Sequence, residues 1–152
     1  YTVAAALKQL GTDAEVVVSE LIPAVTRRNR GPLAALAGHP LNDRRVTVRE
    51  GDVAHILRAE KAGFDAIMMD VDNGPDALTQ GGNSWLYGKS GLRAAHAALR
   101  PKGIYAVWSA YPSRPFTRRL NQTGFRVEEV AARSHGSKKG SHHIIWVAQR
   151  GA

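Results

Sequence analysis

Short apolar runs alternate with helical patterns along the chain. Apolar runs over 15–19, 64–69 and 104–109 predict strands, and so does the alternation around Val46 and Val48 over 45–50. Five helical patterns, each followed by glycine or proline, cover 1–10, 23–30, 53–62, 91–100 and 113–123. Strands that alternate with helices in this way predict an α/β domain with a mostly parallel sheet.

The last two predicted strands break this alternation. They cover 125–131 and 142–148, and only a polar, basic stretch separates them. Consecutive strands without a helix between them are expected to pair as an antiparallel hairpin. A parallel sheet that ends in an antiparallel hairpin resembles the Rossmann-like fold of class I methyltransferases. We therefore expect one such domain over 1–152.

Three of the predicted strands are followed by an acidic residue, namely Glu20, Asp52 and Asp70. The carboxyl ends of parallel strands lie along one edge of the sheet, where ligands bind. The Glu20 carboxylate could accept hydrogen bonds from two ribose hydroxyls, or it could stabilise the first turn of the next helix. Asp52 suits an adenine amino group, an N-cap, or both. Asp70 closes an apolar strand without an obvious gain in stability, which favours a functional role.

A long segment rich in Gly, Asn and Asp follows the third strand, at 71–88. Loops of this length in compact domains tend to be functional. Its two aromatic residues, Trp85 and Tyr87, either line a substrate pocket or pack on the domain.

Composition and charge narrow the classes of function. The 152 residues carry a net charge of +8 and contain no cysteine, which excludes disulfides and thiolate metal sites within this segment. The positive net charge has two explanations, a proteome rich in basic residues and a nucleic-acid partner. We favour the first, and the second stays open. No apolar run is long enough to cross a bilayer and no signal peptide is evident, so cytoplasm is the default expectation.

The sequence gives little support for a metal site or for a serine hydrolase. The six histidines show no ligand spacing, and the adjacent His142 and His143 would point to opposite faces of a strand. No Gly-x-Ser-x-Gly elbow is present either. We therefore expect no metal site.

Three stretches carry a resemblance to a known family. They are VVVSELIPAV at 16–25, EGD at 50–52 and FDAIMMDVDNGP at 64–75. In this order and spacing they resemble successive motifs of spermidine synthases, and LRPKG at 99–103 is similar to the wider methyltransferase superfamily.

The resemblance implies a set of site residues and a co-substrate, which is decarboxylated S-adenosylmethionine or S-adenosylmethionine itself. Asp70 would be the catalytic aspartate. The cofactor-binding residues would be Glu20, Leu21, Asp52, Val53, Gly74 and Pro75. The acceptor would be a small-molecule amine, enclosed by a lid over 76–87 that includes Trp85 and Tyr87.

The sequence departs from this family in two respects. Spermidine synthases typically place a second aspartate three residues after the catalytic one, where this chain has Asn73, with Asp72 one residue earlier. Both are candidate substrate residues. The family's first strand and glycine-rich loop would lie before Tyr1, so we expect a chain trimmed at its amino end.

The leading hypothesis is therefore aminopropyl transfer to an amine, with Asp70 as the group that attracts the ammonium and accepts its proton. The alternatives are methyl transfer to an unknown acceptor and a non-catalytic, nucleic-acid-binding domain of the same fold. The acceptor and the oligomeric state stay open, and a homodimer is compatible with the sequence.

Overall fold

The computed structural model describes residues 1–71, 74–75, 84–133 and 142–152. The chain divides into two compact units, Tyr1–His55 and Ile56–Ala152. The first unit contains a two-stranded sheet and the second a four-stranded sheet. One domain over the whole chain stays a prediction.

The first unit contains one pair of parallel strands with helices around it. Its elements are α1 (Thr2–Gln9), β1 (Val16–Glu20), α2 (Pro23–Arg30), two 3-10 helices (Ala34–Ala37 and Pro40–Asn42) and β2 (Val46–Glu50). Arg45 precedes β2 and donates to the carbonyl oxygens of Leu10 and Gly11 beyond α1, at 2.9 and 3.0 Å. It also forms a 2.8 Å ion pair with Asp43, and this hydrogen-bonded pairing lowers the pKa of Asp43 to about 2.

The helix α3 (Val53–Ala59) leads into the second unit. There follow β3 (Phe64–Met69), α4 (Ser84–Tyr87), α5 (Lys89–Ala98), β4 (Leu99–Ser109), α6 (Arg114–Gln122), β5 (Phe125–Arg133) and β6 (His142–Arg150). The strand order is β3-β4-β6-β5, in which β3 and β4 are parallel and β6 is antiparallel to both neighbours. The predicted closing hairpin of a mixed α/β fold is confirmed.

The core of the second unit is built around large aromatic side chains. Trp146 and Phe116 are fully buried and meet edge to face, with ring centroids 4.9 Å apart. The indole Nε1 of Trp146 donates to Thr117 Oγ1 at 2.9 Å, so the one polar atom of this ring is satisfied. Aromatic packing of this kind holds α6 firmly against the sheet.

Several predicted boundaries were wrong. The helix predicted over 53–62 ends at Ala59, and the strand predicted over 104–109 begins at Leu99. The helix predicted over 91–100 ends at Ala98, because Pro101 disfavours a helical conformation at Arg100 and Leu99 pairs with Phe64 of β3. Residues 84–87, predicted as loop, form α4. None of the helices within the described ranges combines the length and apolar character that a bilayer crossing requires.

Candidate functional site

The carboxyl edge of the first unit brings two of the predicted acids close together. The parallel register pairs Glu20 with Glu50, and the Gly51 N–H donates to the Glu20 carbonyl oxygen at 2.8 Å. Gly51 has φ +143°, a conformation that favours glycine, and it turns the chain from β2 into Asp52. Glu20 and Asp52 therefore follow neighbouring strands at the same edge.

One carboxylate oxygen of Glu20 accepts a backbone hydrogen bond, and the other is available to a ligand. Its Oε1 accepts a 2.9 Å hydrogen bond from the Ile22 N–H, just before α2 begins. Within the described residues, Oε2 has no hydrogen-bond partner. Glu20 can therefore stabilise the start of α2 and accept a hydrogen bond from a ligand at once.

Asp52 caps α3, as one of the two interpretations of its position predicted. Its Oδ1 accepts a 2.8 Å hydrogen bond from the Ala54 N–H. The side chain is exposed, and Val53 beside it is half-buried. Capping occupies one oxygen only, so the carboxylate can still accept from an amino group.

Exposed apolar side chains accompany these acids. Leu21 is 64% exposed and Ile22 is 56% exposed, directly after Glu20. Large apolar side chains next to hydrogen-bond acceptors suit a ligand with a flat, apolar face and polar edges. A purine nucleoside has this chemistry.

The carboxyl edge of the second unit carries Asp70. The parallel register pairs Met69 of β3 with Val107 of β4, so Asp70 and Ser109 end neighbouring strands at one edge. Asp70 is exposed. A carboxylate at this position can reach a ligand bound beyond the strand ends.

Gly74 packs directly against Ser109. A Cβ on Gly74 would lie 2.1 Å from Ser109 Oγ and 2.4 Å from Ser109 Cβ, far inside van der Waals contact. Gly74 also has φ +96°, so both space and backbone conformation require glycine here. The turn at Gly74 and Pro75 is thus fixed against the end of β4.

Tyr87 is buried and holds the residue after Asp70. Its side chain is 5% exposed, and its hydroxyl donates a 2.8 Å hydrogen bond to the Val71 carbonyl oxygen. Its ring meets Phe116 edge to face at 5.8 Å. In this structure Tyr87 packs on the domain, one of the two roles predicted for it. A role in lining the substrate pocket stays a prediction.

Trp85 lies in α4, two residues before Tyr87. The guanidinium of Arg58 stacks over its ring at 4.0 Å, a cation–π contact. Trp85 is half-buried, and its proposed contact with substrate stays a prediction.

Other predicted site residues fall outside the described part of the chain. They are Asp72 and Asn73, together with the lid segment 76–83. Among the described residues no group of three His, Cys, Asp or Glu side chains could hold a metal ion. That the acids of the two units converge on one adenosine pocket stays a prediction.

Sequence reasoning missed two residues at the edge of the second unit. Ser109 is buried, and its Oγ accepts from the Tyr111 N–H at 3.2 Å and donates to the Tyr111 carbonyl oxygen at 2.9 Å. Tyr111 itself is 72% exposed. The predicted strand end at 109 pointed to this place, but no motif distinguished either residue.

Comparison with known proteins identifies the fold. No protein-family model matches the chain, and no curated protein sequence matches it significantly. The chain superposes on spermidine synthase from Thermotoga maritima with TM-score 0.71 and 17% identity, covering 90% of this chain and 46% of that one. A spermidine synthase in complex with the transition-state analogue AdoDATO gives TM-score 0.69 and 18% identity, over 90% of this chain and 45% of that one.

A methyltransferase has the same fold. The CurJ carbon methyltransferase matches with TM-score 0.63 and 16% identity, covering 96% of this chain and 44% of its own. The chain therefore spans about half the length of these solved structures. At this level of identity the likeness concerns the fold, which is the Rossmann-like class I methyltransferase fold that spermidine synthases share.

Proposed function

We propose that this chain is part of a transferase that moves an aminopropyl group from decarboxylated S-adenosylmethionine to an amine. The observation that carries the proposal is Asp70, an exposed carboxylate directly beyond β3, with the chain after it held by Tyr87 and by the contact of Gly74 with Ser109. A fold shared with spermidine synthases supports it.

The residues of the first unit fit the nucleoside part of such a co-substrate. Glu20 Oε2 can accept from ribose hydroxyls while Oε1 stays bound to the Ile22 N–H. Asp52 can accept from the adenine amino group while it caps α3. The exposed Leu21 provides an apolar surface for the base.

Asp70 would bind the amine substrate and accept its proton. An alkylamine is protonated at neutral pH, and the ammonium has no lone pair for attack. A carboxylate at Asp70 attracts the ammonium and accepts its proton as the nitrogen attacks. When bound, the co-substrate supplies a carbon attached to a positively charged sulfur: the new N–C bond forms, the C–S bond breaks, and a neutral thioether leaves.

A fixed backbone around Asp70 matters for this step, since much of the catalysis in a direct transfer comes from positioning the reactants. The hydrogen bond from Tyr87 restrains Val71, and the close packing of Gly74 on Ser109 restrains the turn that follows. Asp70 thus lies between a buried strand end and two anchored points.

Methyl transfer is the second candidate. The match to the CurJ carbon methyltransferase, which covers 96% of this chain, favours it. Asn73, at the place where spermidine synthases typically have a second aspartate, also favours an acceptor other than a diamine.

Product analysis distinguishes the two candidates. The full-length protein is incubated with putrescine and either decarboxylated S-adenosylmethionine or the intact cofactor, and products are identified by mass spectrometry. Spermidine with an equal amount of methylthioadenosine supports aminopropyl transfer. Methylated product with S-adenosylhomocysteine supports the second candidate, and absence of transfer with both cofactors contradicts the proposal.

A further inference from the structure

We propose that Tyr111 is an acceptor-recognition residue, whose ring contacts an ammonium group of the amine. This inference rests on the proposed function and names a residue that the motifs of the sequence did not reveal. It starts from the position of an exposed aromatic ring at the ligand-binding edge of the second unit.

The position of Tyr111 follows from the strand register. Met69 pairs with Val107, so β3 and β4 end side by side, with Asp70 after one and Ser109 at the end of the other. Tyr111 lies two residues beyond Ser109, at the carboxyl edge where α/β sheets bind ligands. It is 72% exposed, and a large ring left in water at this edge is available to a ligand.

The backbone of Tyr111 is held in place. Ser109 Oγ accepts from its N–H and donates to its carbonyl oxygen, at 3.2 and 2.9 Å. Pro112 follows, which favours an extended conformation at Tyr111. A restrained backbone presents the ring at a lower entropic cost than a free loop would.

The same serine connects Tyr111 to the loop of Asp70. Gly74, four residues after Asp70, packs on Ser109 so closely that no Cβ fits between them. Ser109 thus contacts both the turn after β3 and the residue proposed to meet the acceptor. Tyr111 and the Asp70 loop are therefore positioned by one buried side chain.

The chemistry of a diamine explains what the ring can contribute. Putrescine carries an ammonium group at each end, and one of them must reach Asp70. A tyrosine face attracts a cation without a formal charge, so Tyr111 can receive the distal ammonium.

The test measures putrescine binding to the full-length protein in the presence of methylthioadenosine, by calorimetry. Tyr111→Ala should weaken putrescine binding by about 3- to 30-fold, the range that corresponds to a cation–π contact. Tyr111→Phe keeps the ring and should stay within about twofold of the wild type. Leu36→Ala, which removes a large apolar side chain that is 66% exposed in the first unit, is the control and should not change binding.

The outcomes separate this inference from the proposed function. If the wild type transfers the aminopropyl group and Tyr111→Ala binds putrescine as tightly as the wild type does, the inference is wrong and the function stands. Equal losses in Tyr111→Phe and Tyr111→Ala would also overturn it, because the ring would then not be the recognised group. If the wild type neither binds putrescine nor forms spermidine, the proposed function fails first.

Discussion

The hydroxyl of Tyr87 donates a 2.8 Å hydrogen bond to the carbonyl oxygen of Val71, the residue that follows Asp70. Tyr87 comes from α4, and its ring is packed against Phe116 of α6. A side chain anchored in the core of the second unit thus restrains the chain at the candidate catalytic carboxylate.

This relationship predicts the effect of Tyr87→Phe. The variant keeps the ring contact and loses the hydrogen bond, so kcat should fall about fivefold, the kinetic equivalent of ~1 kcal/mol. The KM for decarboxylated S-adenosylmethionine should not change. Steady-state kinetics measures both quantities.

Tyr105→Phe is the matched control for that variant. Tyr105 is fully buried, and its hydroxyl has no hydrogen-bond partner within the part of the chain that the structure describes. Removing this hydroxyl should leave kcat unchanged and should not lower the free energy of unfolding. Equal losses of activity in both variants would contradict a positioning role for Tyr87.

Glu20→Gln tests the proposed ribose contact. Glutamine can still accept from the Ile22 N–H, so α2 should be retained, while the charge is lost. Calorimetry with methylthioadenosine should show binding weakened by about 10- to 100-fold, the value of a hydrogen bond to a charged group. Glu50→Gln changes the register partner of Glu20 and serves as the control, with an affinity close to that of the wild type.

Gly74→Ala tests the packing of the turn on Ser109. The substitution combines a positive φ with a Cβ 2.1 Å from Ser109 Oγ, so we expect a loss of about 2–4 kcal/mol in the free energy of unfolding. Gly38→Ala is the control, because Gly38 has φ +74° and nothing within 4 Å of an added Cβ. Denaturant unfolding should show a loss of only about 1 kcal/mol for that control.

Comparing the losses in the free energy of unfolding of the two variants distinguishes the effect of steric contact from that of backbone strain. A loss in Gly74→Ala no larger than that in Gly38→Ala would mean that Gly74 and Ser109 are not in close contact.

The lowered pKa of His96 predicts how the stability of the protein depends on pH. Partial burial lowers its pKa, and the nearby Arg150 guanidinium lowers it further, against a hydrogen bond with Gly124 that raises it. The ring of Phe125 packs edge to face with the His96 ring, with ring centroids 4.9 Å apart. The folded state therefore favours neutral His96, and its contribution to stability is present above the unfolded pKa of about 6.5 and is lost as the pH falls below that value.

Thermal unfolding between pH 7.5 and pH 5.5 measures this effect. Over this range His96→Gln should show a smaller decrease in Tm than the wild type, because its side chain does not titrate. Parallel curves for the two proteins would show that His96 makes no such contribution.

The strand ends were predictable from sequence because apolar runs and the acids after them are local signals. Glu20, Asp52 and Asp70 lie at strand ends for this reason. By contrast, α4 has four residues and shows no helical periodicity. The packing of Gly74 on Ser109 joins residues 35 positions apart in sequence, and no local pattern records it.

The boundary at Leu99 shows how tertiary pairing overrides a local pattern. The alanine-rich stretch before it favours helix, but Leu99 is fully buried and pairs with Phe64. Tyr111 could not be predicted from the sequence either. Its proposed role depends on the sheet edge at which it lies, and its neighbours in sequence carry no motif.

The account depends most on Asp70 as the group that accepts the proton of the amine. The direct measurement is spermidine formation by Asp70→Asn, with Asp65→Asn as control. Asp65 lies in β3, the strand that Asp70 follows, and forms an exposed ion pair with Arg100, which contributes little to stability. Asp70→Asn should lose about 100-fold or more in kcat, and Asp65→Asn should stay within about twofold of the wild type. Retention of activity in Asp70→Asn, or an equal loss in Asp65→Asn, would contradict the account.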